Sequence, residues 1–191
     1  MSIEQPIAER DDWFVGEDKI FRYFVTTGAD IITRDVALKA ATSIPVEPLT
    51  EALTSGDKIR FRDSGAGVIA TLSANAVIGD VSLAVNATPG RIGLNVIGGK
   101  IEDITTYTME WVLRLGPTAT TTLLSKTVGS GITITDGPNG ILEVAIDDDD
   151  TGDGAITINP GRYFFTLRKT NDGDEAVLAF GAAHLRLGAT R

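Results

Sequence analysis

A short unit is written twice in the middle of this chain. Ser43-Ile44-Pro45-Val46 is matched by Ser82-Leu83-Ala84-Val85, and Gly56-Asp57-Lys58-Ile59 by Gly98-Gly99-Lys100-Ile101. Each copy reads as a short β run, a turn at Pro48 or Pro89, and a second strand opened by Gly-x-Lys-Ile. A unit this small cannot close a core alone, so the duplication predicts two halves packed as one small barrel or sandwich. In the first copy Leu49 and Leu53 stand at i, i+4, the spacing of one helical turn. The second copy puts Pro89 and Gly90 there, so any helix is shorter or absent. Between the copies, KIRFRDSGAGVIATLSA reads as a hairpin turning at Asp63-Ser64-Gly65-Ala66-Gly67.

The flanking sequence is also β in pattern. In TYTMEWVLRL, Tyr107, Met109, Trp111, Leu113 and Leu115 fall on one face and Thr106, Thr108, Glu110 and Arg114 on the other. That period of two marks a half-buried strand, with Trp111 in the core. KIFRYFVTT repeats the pattern through Phe21, Tyr23 and Val25. GITIT-DGPNG-ILEVAI and RYFFTLRK-TNDGD-EAVLAF each read as two strands about a turn rich in residues that tolerate positive φ. AHLRLG offers a last strand. The KIFRYF and MEWVLRL runs read as consecutive strands of one sandwich, interrupted by about 70 residues, as domains with adjacent ends allow. The expected division is therefore an N-terminal arm (1–12), a sandwich (13–30 and 101–191) and an inserted duplicated β-rich domain (31–100).

Composition narrows the function. The chain of 191 residues has 17 basic and 26 acidic side chains, a formal charge of −9. Such a surface repels phosphates and anionic lipid, so neither nucleic acid nor membrane is an expected partner. No cysteine is present, which excludes disulfides, thiolate metal sites and cysteine nucleophiles. MSIEQPIAERDD has no apolar core for a secretory signal and no run reaches bilayer length, so the expectation is a soluble, unprocessed chain.

The residues DDWFVGEDKIFRYFVTTGADI, then YTMEWVLRLGPTATTTLLSKTVGSGITITDGPNGILEVAIDDDDT and PGRYFFTLRKTNDGDEAVLAFGAAHLR, resemble the immunoglobulin-like domain at the N-terminus of phage upper baseplate proteins. The inserted SGDKIRF…VIATLSANAVIGDVSLAVNATPG is similar to Ala- and Gly-rich repeat modules of phage virion proteins. The resemblance covers roughly 13–30 and 101–191, and the inserted segment departs from the usual pattern. It implies an all-β chain, an immunoglobulin-like antiparallel sandwich interrupted by the duplicated domain, acting as a non-enzymatic component of a virion. Its expected partners are other virion proteins and further copies of itself. The expected location is the capsid surface, as a decoration or accessory protein; a tail or baseplate component and a host-surface carbohydrate-binding module are the alternatives.

Candidate sites are few. IDDDDTGDG carries enough carboxylates for a loose calcium site at Asp148, Asp150 and Asp153, whereas EF-hand spacing fails, with Thr151 at the third place and Pro160 at the twelfth. A solvated loop that guards an edge strand explains the same charges. No other cofactor is expected. His184, the single histidine, lacks a nucleophile-elbow context, and NVIGGK lacks the spacing of a phosphate-binding loop. Trp13 and Phe14 follow a charged start and are the candidate interface anchors, since aromatics concentrate binding energy; covering their own sandwich is the alternative. A carbohydrate-binding role calls for exposed aromatics on the inserted domain, where Phe61 is the only one.

Overall fold

A computed structural model describes residues 13–14, 16, 18–62, 67–151 and 158–186. Its strands in chain order are β1 (Trp13–Phe14), β2 (Lys19–Phe24), β3 (Thr26–Ile32), β4 (Ser43–Pro45), β5 (Lys58–Phe61), β6 (Val68–Thr71) and β7 (Ser82–Ala84). There follow β8 (Ile97–Ile101), β9 (Met109–Arg114), β10 (Thr122–Val128), β11 (Gly131–Asp136), β12 (Ile141–Ile146), β13 (Gly161–Lys169) and β14 (Ala176–Arg186). One short helix, α1 (Asp148–Thr151), and a 3-10 turn (Gly137–Asn139) complete the elements. The chain divides after Val25 and again after Glu102 into two compact units.

The outer unit is one hydrogen-bonded sheet of order β1-β14-β13-β9-β10-β11-β12-β2, folded into two layers. Flat, it would place β2 and β9 four strands, roughly 19 Å, apart. Instead Phe21 on β2 stacks on Trp111 on β9 at 6.2 Å, and the Trp111 indole N–H donates to the Tyr23 hydroxyl at 3.0 Å. The fold line is the β10–β11 corner, where Gly129 and Gly131 take φ of 83° and 86°. A Cβ on Gly131 would lie 2.3 Å from the Lys126 side chain, so only glycine fits. One layer is β1, β14, β13, β9 and β10; the other is β11, β12 and β2. With β2 as strand B and β9 to β14 as C, C′, D, E, F and G, this is the immunoglobulin-like arrangement.

Two local features belong to the same architecture. Tyr163 opens β13 and its hydroxyl donates to the carbonyl of Asn159, four residues upstream, which is a tyrosine corner. Two residues further on, where antibody domains place a cysteine, stands Phe165. It meets Tyr23 edge-on at 6.1 Å and stacks on Trp111 at 6.1 Å. Aromatic rings thus join the layers that a disulfide would otherwise tie. KIFRYF and MEWVLRL lie in one unit, but they face one another across its core instead of running as neighbouring strands. β14 continues through Gly181 to Arg186 as a single strand paired along β13, where the sequence suggested a break before AHLRLG.

The inner unit has a four-stranded sheet, β3-β8-β5-β6, and a two-stranded ladder, β4-β7. Its core includes Ile44, Val46, Leu53, Ile59, Phe61, Leu83, Val85 and Ile92. Residues 26–30, assigned to the sandwich from sequence, belong here because Thr26 and Thr27 pair with Ile101 and Lys100. No helical turn forms at Leu49–Leu53; both side chains are buried from an irregular segment.

The duplication is an internal two-fold relation. Ser43 and Ser82 are 39 positions apart, and the same offset converts one backbone hydrogen bond into another throughout. Ala37 and Ile92 exchange both bonds, as do their mates Ala76 and Leu53; Val46 N–H donates to Val81 and its mate Val85 to Thr42. Ile44 pairs with Leu83 and Arg60 with Gly99, two residue pairs lying on the axis itself. The Gly-x-Lys-Ile match is therefore three residues out of step. The mate of Gly56 is Asn95, not Gly98, because that turn needs positive φ and both supply it, at 92° and 56°.

Candidate interaction face

The register of the outer unit gathers a cationic and aromatic surface on the outside of its β14-β13-β9-β10 layer. Met109, Trp111 and Leu113 point to the core, so Glu110, Val112 and Arg114 point away. Across β13 the pairs are Phe164 with Arg114, Thr166 with Val112 and Arg168 with Glu110. Beyond them on β14 stand Phe180 beside Thr166, and His184 beside Arg162. Arg186 ends the strand. Among the described residues the charged groups on this face are Arg114, Arg162, Arg168 and Arg186 against Glu110, a positive surface on a chain of charge −9.

Several of these groups are held in place. The Arg168 guanidinium grips Glu110 through Nε at 2.9 Å and through Nη2, and the Ser125 hydroxyl donates to the other oxygen at 2.9 Å. Burial works to raise the Glu110 carboxyl, but the hydrogen bonds from Arg168 and Ser125 and the nearby Arg168 and Arg114 charges outweigh it and hold it below its ordinary value. Glu110 therefore stays ionised and orients Arg168. Arg162 lies over the Phe164 ring at 5.3 Å, a cation–π pair. Phe180 is 60% exposed. Arginine beside aromatic rings is the composition of binding hot spots, and the net positive charge fits an acidic partner.

The other sequence candidates fall elsewhere. Trp13 is 2% exposed and packs edge-on against Phe21, so it is core and not an interface anchor; Phe14 beside it is half-buried. Asp150 forms an ion pair with Lys126 and caps the Asp147 N–H, and Asp148 accepts from the Asp149 N–H. Asp153 lies outside the described residues. Among the described residues no group of three or more His, Asp or Glu is placed to hold a metal ion. His184 stands on the outer face opposite Arg162. A shallow cleft in the inner unit, lined by Thr27–Ile31, Leu49–Glu51, Leu53 and Lys100, is pinned by the Ala29 N–H on Glu51 at 2.9 Å. Phe61 is fully buried, which leaves a carbohydrate-binding role without the exposed aromatic it requires there.

Sequence reasoning missed the Arg–Phe face although every residue was visible. Alternation identifies a strand's polar side, but only the order β14-β13-β9-β10 puts those four polar sides together. No protein-family model, no curated protein and no solved structure matches this chain.

Proposed function

We propose that the chain is a non-enzymatic structural component of a tailed-phage particle, an accessory protein that docks on the capsid surface through the Arg–Phe face. The observation that carries this reading is that face: four arginines and two phenylalanines on a rigid sheet of an otherwise acidic molecule. Rigid, pre-oriented groups lose little entropy on binding, which favours a docking role. The resemblance to phage immunoglobulin-like domains supplies the particle. That same resemblance supports a tail or baseplate position as the second reading.

Co-sedimentation with purified empty capsids and, separately, with purified tails tests the proposal. Binding to capsids that weakens with salt and is lost in Arg162→Glu/Phe180→Asp supports it. Binding to tails alone moves the protein to the second reading, and binding to neither refutes the structural role.

A further inference from the structure

The internal two-fold supplies a comparison within one molecule, because mates occupy the same place in the same fold. Buried mates match: Ile44 and Leu83, Val46 and Val85, Leu53 and Ile92, Ala37 and Ala76. Most exposed mates do not, although Leu38 and Val77 are apolar and exposed in both halves. Ile97, Leu94, Ile32, Val81 and Ile78 answer to Lys58, Ser55, Thr71, Thr42 and Lys39. The apolar member of each pair is 38% to 67% exposed. Folding does not require these apolar side chains, since the same positions accept lysine, serine and threonine in the other half.

The five also fall together in space, not in one copy of the sequence. Ile32 belongs to the first copy, yet it is the direct strand partner of Ile97 in the second. The Glu47 N–H donates to Ile32 and the Val46 N–H to Val81, so neighbouring backbone segments carry the side chains from Ile97 to Val81. Leu94 sits on the turn before Ile97, and the turn holding Val77 and Ile78 closes on Leu49 through Gly79. One side of the axis carries these five apolar residues and the related side their polar mates, with Leu38 the exposed apolar residue there. The exposed apolar surface of the five residues sums to on the order of 500 Å², within the range of the largest patch on a monomer, which is often functional.

The charges beside it indicate the occupant. Arg34 and Glu47, about half exposed, form an ion pair at 3.4 Å next to Ile32. Their mates are Ser73 and Asn86, so this pair too exists only on the apolar side. Charges inside a two-fold contact between identical chains must include both signs, so that each copy's arginine meets the other's glutamate. The Arg–Phe face, with its surplus of one sign, cannot pair with itself. We propose that the apolar side of the inner unit, centred on Ile32, Ile97, Leu94 and Ile78, binds a second copy of this chain across a two-fold axis. The patch is smaller than a standard interface, so the dimer is expected in the micromolar range or weaker, on the order of 1–100 µM.

Sedimentation equilibrium of the full chain from about 1 µM to 1 mM tests it. The wild type is expected to dimerise. Replacing each apolar residue by its mate's residue (Ile32→Thr, Ile78→Lys, Val81→Thr, Leu94→Ser, Ile97→Lys) is expected to raise the dimer Kd at least about 100-fold with unchanged circular dichroism. Arg34→Glu and Glu47→Arg each weaken association, and the double exchange restores it. A wild type monomeric at 1 mM, a dimer indifferent to the five replacements, or a double exchange that stays dissociated overturns the proposal. Arg162→Glu/Phe180→Asp leaves self-association intact, so failure here and failure of particle docking are separate results.

Discussion

Tyr23→Phe probes the joint between the two layers of the outer unit. Tyr23 and Trp111 are both buried, and the Tyr23 hydroxyl is the acceptor for the Trp111 N–H at 3.0 Å. Phenylalanine keeps the ring, its edge contact with Phe165 and nearly all the apolar area. What is lost is one oxygen, and the indole N–H is then left with no acceptor inside the core. Removing a buried polar hydroxyl recovers part of that loss, but stranding its donor outweighs the recovery, for a net cost of about 1–3 kcal/mol. Both tryptophans of the chain lie in the outer unit, so indole fluorescence during urea unfolding follows that unit alone. With an m-value near 1.5 kcal/mol/M, the midpoint falls by roughly 1 M and m is unchanged. Trp111→Phe and the double variant complete the cycle, with a coupling of about 1 kcal/mol expected. A Tyr23→Phe protein as stable as wild type would refute the reasoning, since some other group would then be satisfying the indole.

Further outcomes follow from other particular positions. Burial pushes the Tyr23 phenol above its ordinary value, against a smaller downward pull from the Trp111 hydrogen bond, and Tyr163 is raised by burial. A raised folded-state pKa gives stability that is whole below about pH 10 and is lost above it as the unfolded chain ionises first. Urea midpoints should therefore decline above about pH 10, less steeply in Tyr23→Phe. Ala40 holds φ of 67° where its mate Gly79 holds 90°; Ala40→Gly should stabilise the inner unit by about 0.5–1 kcal/mol in calorimetry, and Gly79→Ala should cost about 1 kcal/mol. A Cβ on Gly98 would lie 2.8 Å from the Phe61 ring, so Gly98→Ala should cost about 1–3 kcal/mol by overpacking, read as a lower thermal midpoint.

Legibility in the sequence followed the period of the signal. Alternation in TYTMEWVLRL and in the two hairpins located strands β9 and β11 to β14, because one buried face imposes a period of two. It could not order them: β2 and β9 looked adjacent because both are aromatic and apolar, yet they pack face to face. The repeat was visible at Ser43–Val46, where both copies bury the same side chains against each other. It was misaligned at Gly56, where the fold demands a φ sign and not a residue, so asparagine serves as well. Trp13 beside charged residues looked like an anchor; its strand partner Leu185 lies 172 positions away and was not readable locally. The Arg–Phe face and the apolar side of the inner unit were illegible for one reason: each is assembled from strands distant in sequence.

Applied to the connection between the two copies, the 39-residue offset relates the hairpin after Phe61 to the place where Ile101 meets Thr26. The point at which the inner unit is hung on its host is thus the symmetric counterpart of its own internal hairpin. A circular permutant that joins Ile101 to Thr26 through a short loop and opens at 63–66 should fold to the same topology. The host could equally be grafted at 63–66, so this module offers two equivalent docking points for insertion into other proteins.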